Sequence, residues 1–188
     1  MNKFLYLDNA ATTKIAPEVV EAMLPYFTEH YGNPSSVYTF AAGNKEAVSV
    51  QRDIIAETLG AKSNEIYFTA GGSEADNWAL KAAAEAYGEK GRHIITTKIE
   101  HHAILHTAEY LEKKGFEVTY LDVDEYGKVK LEELKNAIRP DTILISVMFA
   151  NNEIGVIEPV KEIGAIAKEH GILFHTDAVQ AYGQLPIN

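Results

Sequence analysis

The chain is 188 residues long, enough for one sizeable hydrophobic core, and its length gives no reason to expect two. It is 46% apolar and 23% charged with a net charge of −10, and its basic residues are scattered (Lys128 to Lys135 is the densest run), which argues against nucleic-acid binding. No cysteine is present, so disulfides, thiolate metal sites and a thiol nucleophile are excluded; with no apolar run near ~18 residues and no charged-then-apolar leader, a soluble cytoplasmic protein that engages no membrane is expected.

Phe4–Asp8 is a short extended segment, followed by the small, polar loop Asn9–Thr13. Pro17 opens a helix with Val19, Val20, Met23, Leu24 and Phe27 on one face, and Pro25 kinks or ends it. Gly32-Asn33-Pro34-Ser35-Ser36 is a loop. Residues 45–59 form an amphipathic helix with Ala47, Val50, Ile54, Ile55 and Leu59 inward and Gly60 as its stop. A regular alternation then begins. Strands are expected at Ile66–Thr69, His93–Thr97, Glu117–Leu121, Thr142–Val147 and 172–176. Helices are expected from Glu74 to Tyr87, from His102 to Lys114 ending at Gly115, over 131–138 after a turn at Asp124–Gly127, and from Pro159 to Gly171. Such alternation defines an α/β fold, a mostly parallel sheet built of βαβ units with helices on both faces. There is no internal repeat and no linker-like break between Gly43 and Gln180.

In such a sheet, ligands sit at the carboxyl ends of the strands, and four stretches fall there. Ile172–Thr176 is a short apolar run that delivers Asp177 to that edge, as a helix cap, a loop acid or a ligand-facing carboxylate. Thr69–Asn77 joins a strand to a helix through Gly71 and Gly72, with Ser73 adding a hydroxyl and Asp76 three residues on suggesting a capping box. That is a phosphate cradle on physical grounds, although neither the dinucleotide nor the P-loop spacing is present. Glu100-His101-His102 caps a helix or moves protons; a metal site using His102 and His106 is disfavoured, because adjacent residues diverge and no second ligand cluster follows. Asn151-Asn152-Glu153-Ile154-Gly155 offers amide donors or simply turns the chain.

Together with Leu7–Thr13 and Gly32–Ser36, these motifs give the chain a resemblance, from Leu7 to Asn188, to the amino-terminal part of the cysteine desulfurases of the NifS/IscS type, in the class V aminotransferase group of pyridoxal phosphate enzymes. The resemblance implies an incomplete fold-type I large domain over residues 16–188, preceded by an arm at 1–15, without the carboxyl-terminal small domain. It implies that Gly72 and Ser73, where relatives carry Ala-Thr, hold the cofactor phosphate. His101 would stack on the pyridine ring and assist proton transfer as the catalytic residue. Asn152 and Gln180 would hydrogen-bond near the phenolic oxygen, and Asp177 would keep the ring nitrogen protonated. No metal is implied.

The reaction implied takes L-cysteine to L-alanine and passes sulfur on as a persulfide, for iron–sulfur cluster or other sulfur assembly. A homodimer and a sulfur-accepting scaffold protein are the implied partners. The family's cofactor-bearing lysine lies in a Ser-x-His-Lys segment beyond Asn188, and its persulfide-forming cysteine lies further on, so the 188-residue chain alone is expected to be inactive. Alternatives are a selenocysteine lyase, another class V enzyme, or a non-catalytic short homologue acting as a binding partner.

Overall fold

The computed structural model describes residues 4–187; the first three residues of the expected arm and Asn188 lie outside it. The chain divides into two compact units. The described residues up to Phe68, with Ile187, form one, and Thr69–Pro186 form the other.

In the first unit, helices α1 (Pro17–Met23) and α2 (Pro25–Thr28) meet at Leu24, each with a proline in its first turn, as Pro17 and Pro25 foretell. Helix α3 (Ala42–Thr58) starts three residues before the expected boundary, because a 3-10 turn at Thr39–Ala41 runs straight into it. Gly60 closes it at φ +62°. The buried Asn44 holds the preceding loop by donating to the carbonyls of His30 and Gly32. Two expectations fail here. Val50 and Ile54, placed inward from their spacing, are 45% and 49% exposed. Within this unit α3 packs against two 3-10 turns, Thr39–Ala41 and Ser63–Glu65, which are too short to cover a wide apolar stripe. Ile66–Thr69 is not a strand: Ile66 is extended (φ −97°, ψ 126°), yet the segment joins no sheet ladder. An extended apolar run becomes a strand only where a neighbour supplies hydrogen bonds.

The second unit carries the sheet. Strands β1 (His93–Thr97), β2 (Glu117–Leu121), β3 (Thr142–Ser146) and β4 (Leu173–His175) pair in the order β2-β1-β3-β4, and every pairing is parallel. All residues of β1 and β3 are buried, the polar His93, Thr96, Thr97, Thr142 and Ser146 included. Helices α4 (Gly72–Tyr87) and α5 (His102–Glu112) cover one face, burying Leu80, Ala83, Ile104 and Leu111 against Ile94 and Leu144. Helices α6 (Leu131–Ala137) and α7 (Val160–Glu169) cover the other, burying Leu134, Ile163 and Ile166 against Ile95 and Ile145. The expected α/β fold with helices on both faces is therefore what forms. His93 is a core residue at the foot of the sheet: its two ring nitrogens meet the hydroxyls of Thr142 at 2.7 Å and Thr119 at 2.8 Å.

Ile94 lies at the centre of this packing, whereas Tyr126 is 74% exposed. Ile94→Ala should cost about 2–5 kcal/mol, and Tyr126→Ala no more than about 0.5 kcal/mol. Urea unfolding followed by circular dichroism measures both, and similar losses for the two would contradict this assignment of the core.

Candidate functional site

Because the sheet is parallel, the segments following β1, β3 and β4 all emerge at one edge. Asp177 lies two residues past β4. Its backbone continues the β3–β4 ladder, with its carbonyl accepting from the Phe149 N–H at 2.8 Å, and one carboxylate oxygen accepts from the Val179 N–H at 2.9 Å. His101 is the N-cap of α5, where its Nδ1 accepts from the Ala103 N–H at 3.1 Å. The capping reading of that residue is thus correct, and it leaves Nε2 and the ring face for other work. Asp76, on the second turn of α4, joins them. One ligand-capable atom each from Asp76, His101 and Asp177 lies within 4.8 Å of the others.

Asp76 was the group the sequence misplaced. No capping box forms with Ser73; instead Glu74 reaches back to accept from the Ala70 N–H at 2.6 Å. Asp76 is 4% exposed and faces His175, whose Nε2 lies 3.6 Å away. Burial, with the Asp177 charge adding, pushes the Asp76 carboxyl up to about 7. Burial also holds His175 below its ordinary value, against the pull of Asp177, and its Nδ1 meets the Ser146 hydroxyl at 2.9 Å. Thus a row of buried polar groups runs from β3 through β4 to α4. The only sequence signal for a buried Asp76 is its position: Leu80 and Ala83 lie four and seven residues on, along the inward face of the same helix.

The remaining expected residues fall as follows. Gly72 and Ser73 are the first two residues of α4. A Cβ on Gly72 would stand 2.7 Å from Val179 Cγ2, so this glycine permits close approach of the chain after Asp177, while Gly71 faces open space. Ser73 and His101 line a hollow of about 340 Å³ with Asn77, Lys81, His102 and His106. Lys81 thus borders the site, with Nζ donating to Asn77 at 2.8 Å and lying over the Tyr110 ring. The rings of His102 and His106 stack at 5.3 Å. Asn152 follows β3 at the same edge, but its amide donates to its neighbour Glu153 at 3.1 Å. It is Asn151 that is buried and built in. Its amide donates to the Ile99 carbonyl at 2.8 Å and its oxygen accepts from the N–H groups of Glu153 and Ile154. Gln180 is partly buried three residues past Asp177.

A doubly covered parallel sheet with acids and an imidazole gathered at its carboxyl edge is the architecture of an α/β ligand-binding domain, and the Aminotransferase class-V family model matches residues 5–188. The chain belongs to that family. Cysteine desulfurase IscS of Methanosarcina thermophila is 63% identical over 187 residues, covering 100% of this chain and 46% of that protein. Among solved structures, a NifS-like protein superposes with a TM-score of 0.93 at 43% identity, over 96% of this chain and 50% of that one. SspA in complex with cysteine gives 0.94 at 43% identity, over 97% and 53%. These are fold-type I pyridoxal phosphate architectures. The chain spans about half the length of the curated relatives it matches.

An acid with a raised folded-state value binds a proton that the unfolded chain has released, so stability falls as pH rises between the two values. For Asp76 that window runs from 3.8 to about 7. Asp76→Asn, which mimics the protonated acid at every pH, should therefore gain stability relative to the parent as pH rises through that window. Thermal unfolding at several pH values measures this; a difference that does not change with pH would contradict it.

Proposed function

We propose that this chain is the cofactor-facing, amino-terminal part of a pyridoxal phosphate-dependent cysteine desulfurase. That enzyme converts L-cysteine to L-alanine and passes the sulfur on as a persulfide, for iron–sulfur cluster or other sulfur assembly. The observation that carries the reading is the convergence of Asp177 and His101 at the carboxyl edge, beside the first turn of α4.

The residues present fit the cofactor. The Gly71 carbonyl takes the N–H groups of Glu74 and Ala75, so the free donors at the start of α4 are those of Gly72 and Ser73, at the positive end of the helix dipole. They suit a phosphate, with the Ser73 hydroxyl beside them. Asp177 uses one oxygen on the Val179 N–H, and the other suits a ring N–H donor. When bound, pyridoxal phosphate supplies an electron sink for charge developing at the substrate Cα. Asp177 would hold a proton on the ring nitrogen. With Nδ1 of His101 accepting from Ala103, the neutral imidazole carries its proton on Nε2, the atom left to give or take one in the site. Asn152 and Gln180 would orient polar groups near the ring oxygen. The assignment of residues 16–188 to one large domain, a homodimer, a sulfur-accepting scaffold protein and a cytoplasmic location belong to the same proposal; among the described residues no helix is long and apolar enough to cross a membrane.

On this reading the 188-residue chain binds the cofactor without holding it covalently. Lys98 is engaged by Asp122 at 2.6 Å, and Lys81 by Asn77. A Schiff-base lysine needs a desolvated or charge-depressed amine aimed at the cofactor, which amines engaged in this way do not offer. The test is titration of the purified chain with pyridoxal phosphate, then borohydride reduction, peptide mapping and incubation with L-cysteine. Reversible binding is expected, weakened by about tenfold or more in Asp177→Asn, since hydrogen bonds to charged groups are worth about 1.5–3 kcal/mol. Unchanged affinity in that variant would remove Asp177 from the site. Stoichiometric labelling of Lys81 with release of alanine would overturn the claim that the chain does not hold the cofactor covalently.

A further inference from the structure

Glu100 stands between β1 and His101, and the proposed chemistry makes no use of it. It is 5% exposed. Its Oε1 accepts from the Thr97 hydroxyl at 2.8 Å and from the backbone N–H of Met148 at 3.0 Å, while its Oε2 is buried with no partner. Thr97 ends β1, and Met148 lies two residues past β3, so one side chain ties together the exits of two adjacent strands. A second tie runs alongside it, from the Asn151 amide to the Ile99 carbonyl.

A charged carboxylate with one bare oxygen in this position would be costly. Burial pushes Glu100 up to about 8, against the hydrogen bonds from Met148 and Thr97 and with the charges of Asp177 and Glu158 adding. Burial thus favours the protonated acid, which avoids a bare buried charge. Filling space alone would not require it, since an apolar side chain of similar size packs without a buried orphan atom. What an apolar residue cannot do is accept two hydrogen bonds from two different strand ends.

We propose that Glu100 is a positioning residue that clamps the turn carrying His101 to the segment after β3, and so fixes where the His101 imidazole stands relative to Asp177. The clamp stands on geometry; its consequence for cofactor binding rests on the functional reading above. Nothing reacts at Glu100 itself. Its neighbours Thr97, Ile99 and Asn151 complete a bracket, and the His101 cap bond to the Ala103 N–H lies at the end of it.

The test compares the chain with Glu100→Gln, Glu100→Ala and Thr97→Val by residue-resolved amide hydrogen exchange and by pyridoxal phosphate titration. Glutamine keeps a neutral carbonyl oxygen that accepts from both donors, so exchange at Ala103 and Met148 should stay within about twofold of the parent. Alanine should speed exchange at those two amides by about tenfold, equivalent to about 1.4 kcal/mol of local protection, with Ala83 and Ile163 unchanged. Thr97→Val removes one tie and should fall between them, which keeps the proposal testable should the alanine variant fail to fold. Cofactor affinity should drop in Glu100→Ala and be restored in Glu100→Gln. Unchanged Ala103 exchange in Glu100→Ala, uniform acceleration across the unit, or a glutamine variant as damaged as the alanine one would each overturn the proposal. Failure of the functional reading looks different: Asp177→Asn would leave affinity unchanged while Ala103 exchange still depends on Glu100.

Discussion

In the order β2-β1-β3-β4 the chain leaves β1 toward one edge of the sheet and leaves β3 toward the other, although the two strands lie side by side. Their following segments diverge to opposite faces, α5 above one core and α7 above the other. A crevice at such a reversal is a geometric consequence of parallel pairing, and it is where open α/β sheets bind ligands. Everything polar in the site depends on that pairing. His101 follows β1, Asn151 follows β3, and Asp177 is held by a backbone bond that extends the β3–β4 ladder. Glu100 then spans the reversal itself.

Placing so many acids at a dehydrated edge has an electrostatic cost, and the chain meets it by neutralisation more than by pairing. Asp76 and Glu100 are both pushed up by burial, to about 7 and about 8, and no lysine or arginine faces either in the interactions described. His175, deprived of water, is held toward its neutral form. The acid at the mouth of the crevice is Asp177, which uses one carboxylate oxygen on the Val179 N–H. An acid whose buried neighbours favour their protonated forms is a more selective partner for a ring N–H than one member of a crowded anionic cluster, whose groups would repel one another and bind cations without discrimination.

How far the sequence shows this depends on the type of signal. The alternation of short strand-forming stretches with helical patterns is legible, so β1 and β2 match their expected bounds, and β3 and β4 fall within one residue of theirs at each end. Helix ends are legible where a glycine takes a left-handed turn, as Gly60 and Gly171 do. What fails are properties that belong to pairs of elements. The extended Ile66–Thr69 carries strand chemistry, but ladder formation is settled by a neighbour that a local window cannot see. Val50 and Ile54 mark a real apolar stripe, but whether a stripe is buried depends on what covers it. Nor does the sequence tell two adjacent amides apart: Asn151 is the one built into the fold and Asn152 the outer one. Asp76 looked like a cap and proved to be a buried acid. A cap and an inward face lie a fraction of a helical turn apart, and helix starts are uncertain by that much.

The net charge of −10 runs against the proposed affinity for a phosphorylated ligand, and the local arrangement resolves the conflict. At physiological salt, charges further away than about 8 Å are largely screened, so the distant carboxylates contribute little at the site. What an approaching phosphate meets is the start of α4, the Ser73 hydroxyl and the wall formed by Lys81, His102 and His106. Glu74, in the same first turn, would oppose an anion if its carboxylate were free. It is drawn back instead onto the Ala70 N–H, which satisfies that donor and leaves those of Gly72 and Ser73 available. The glycine at position 72 completes the arrangement, because a Cβ there would stand 2.7 Å from Val179 Cγ2, in the segment that follows Asp177, and one of the two would have to shift. The phosphate end and the ring-nitrogen end of the proposed site therefore meet where the Val179 side chain lies against Gly72.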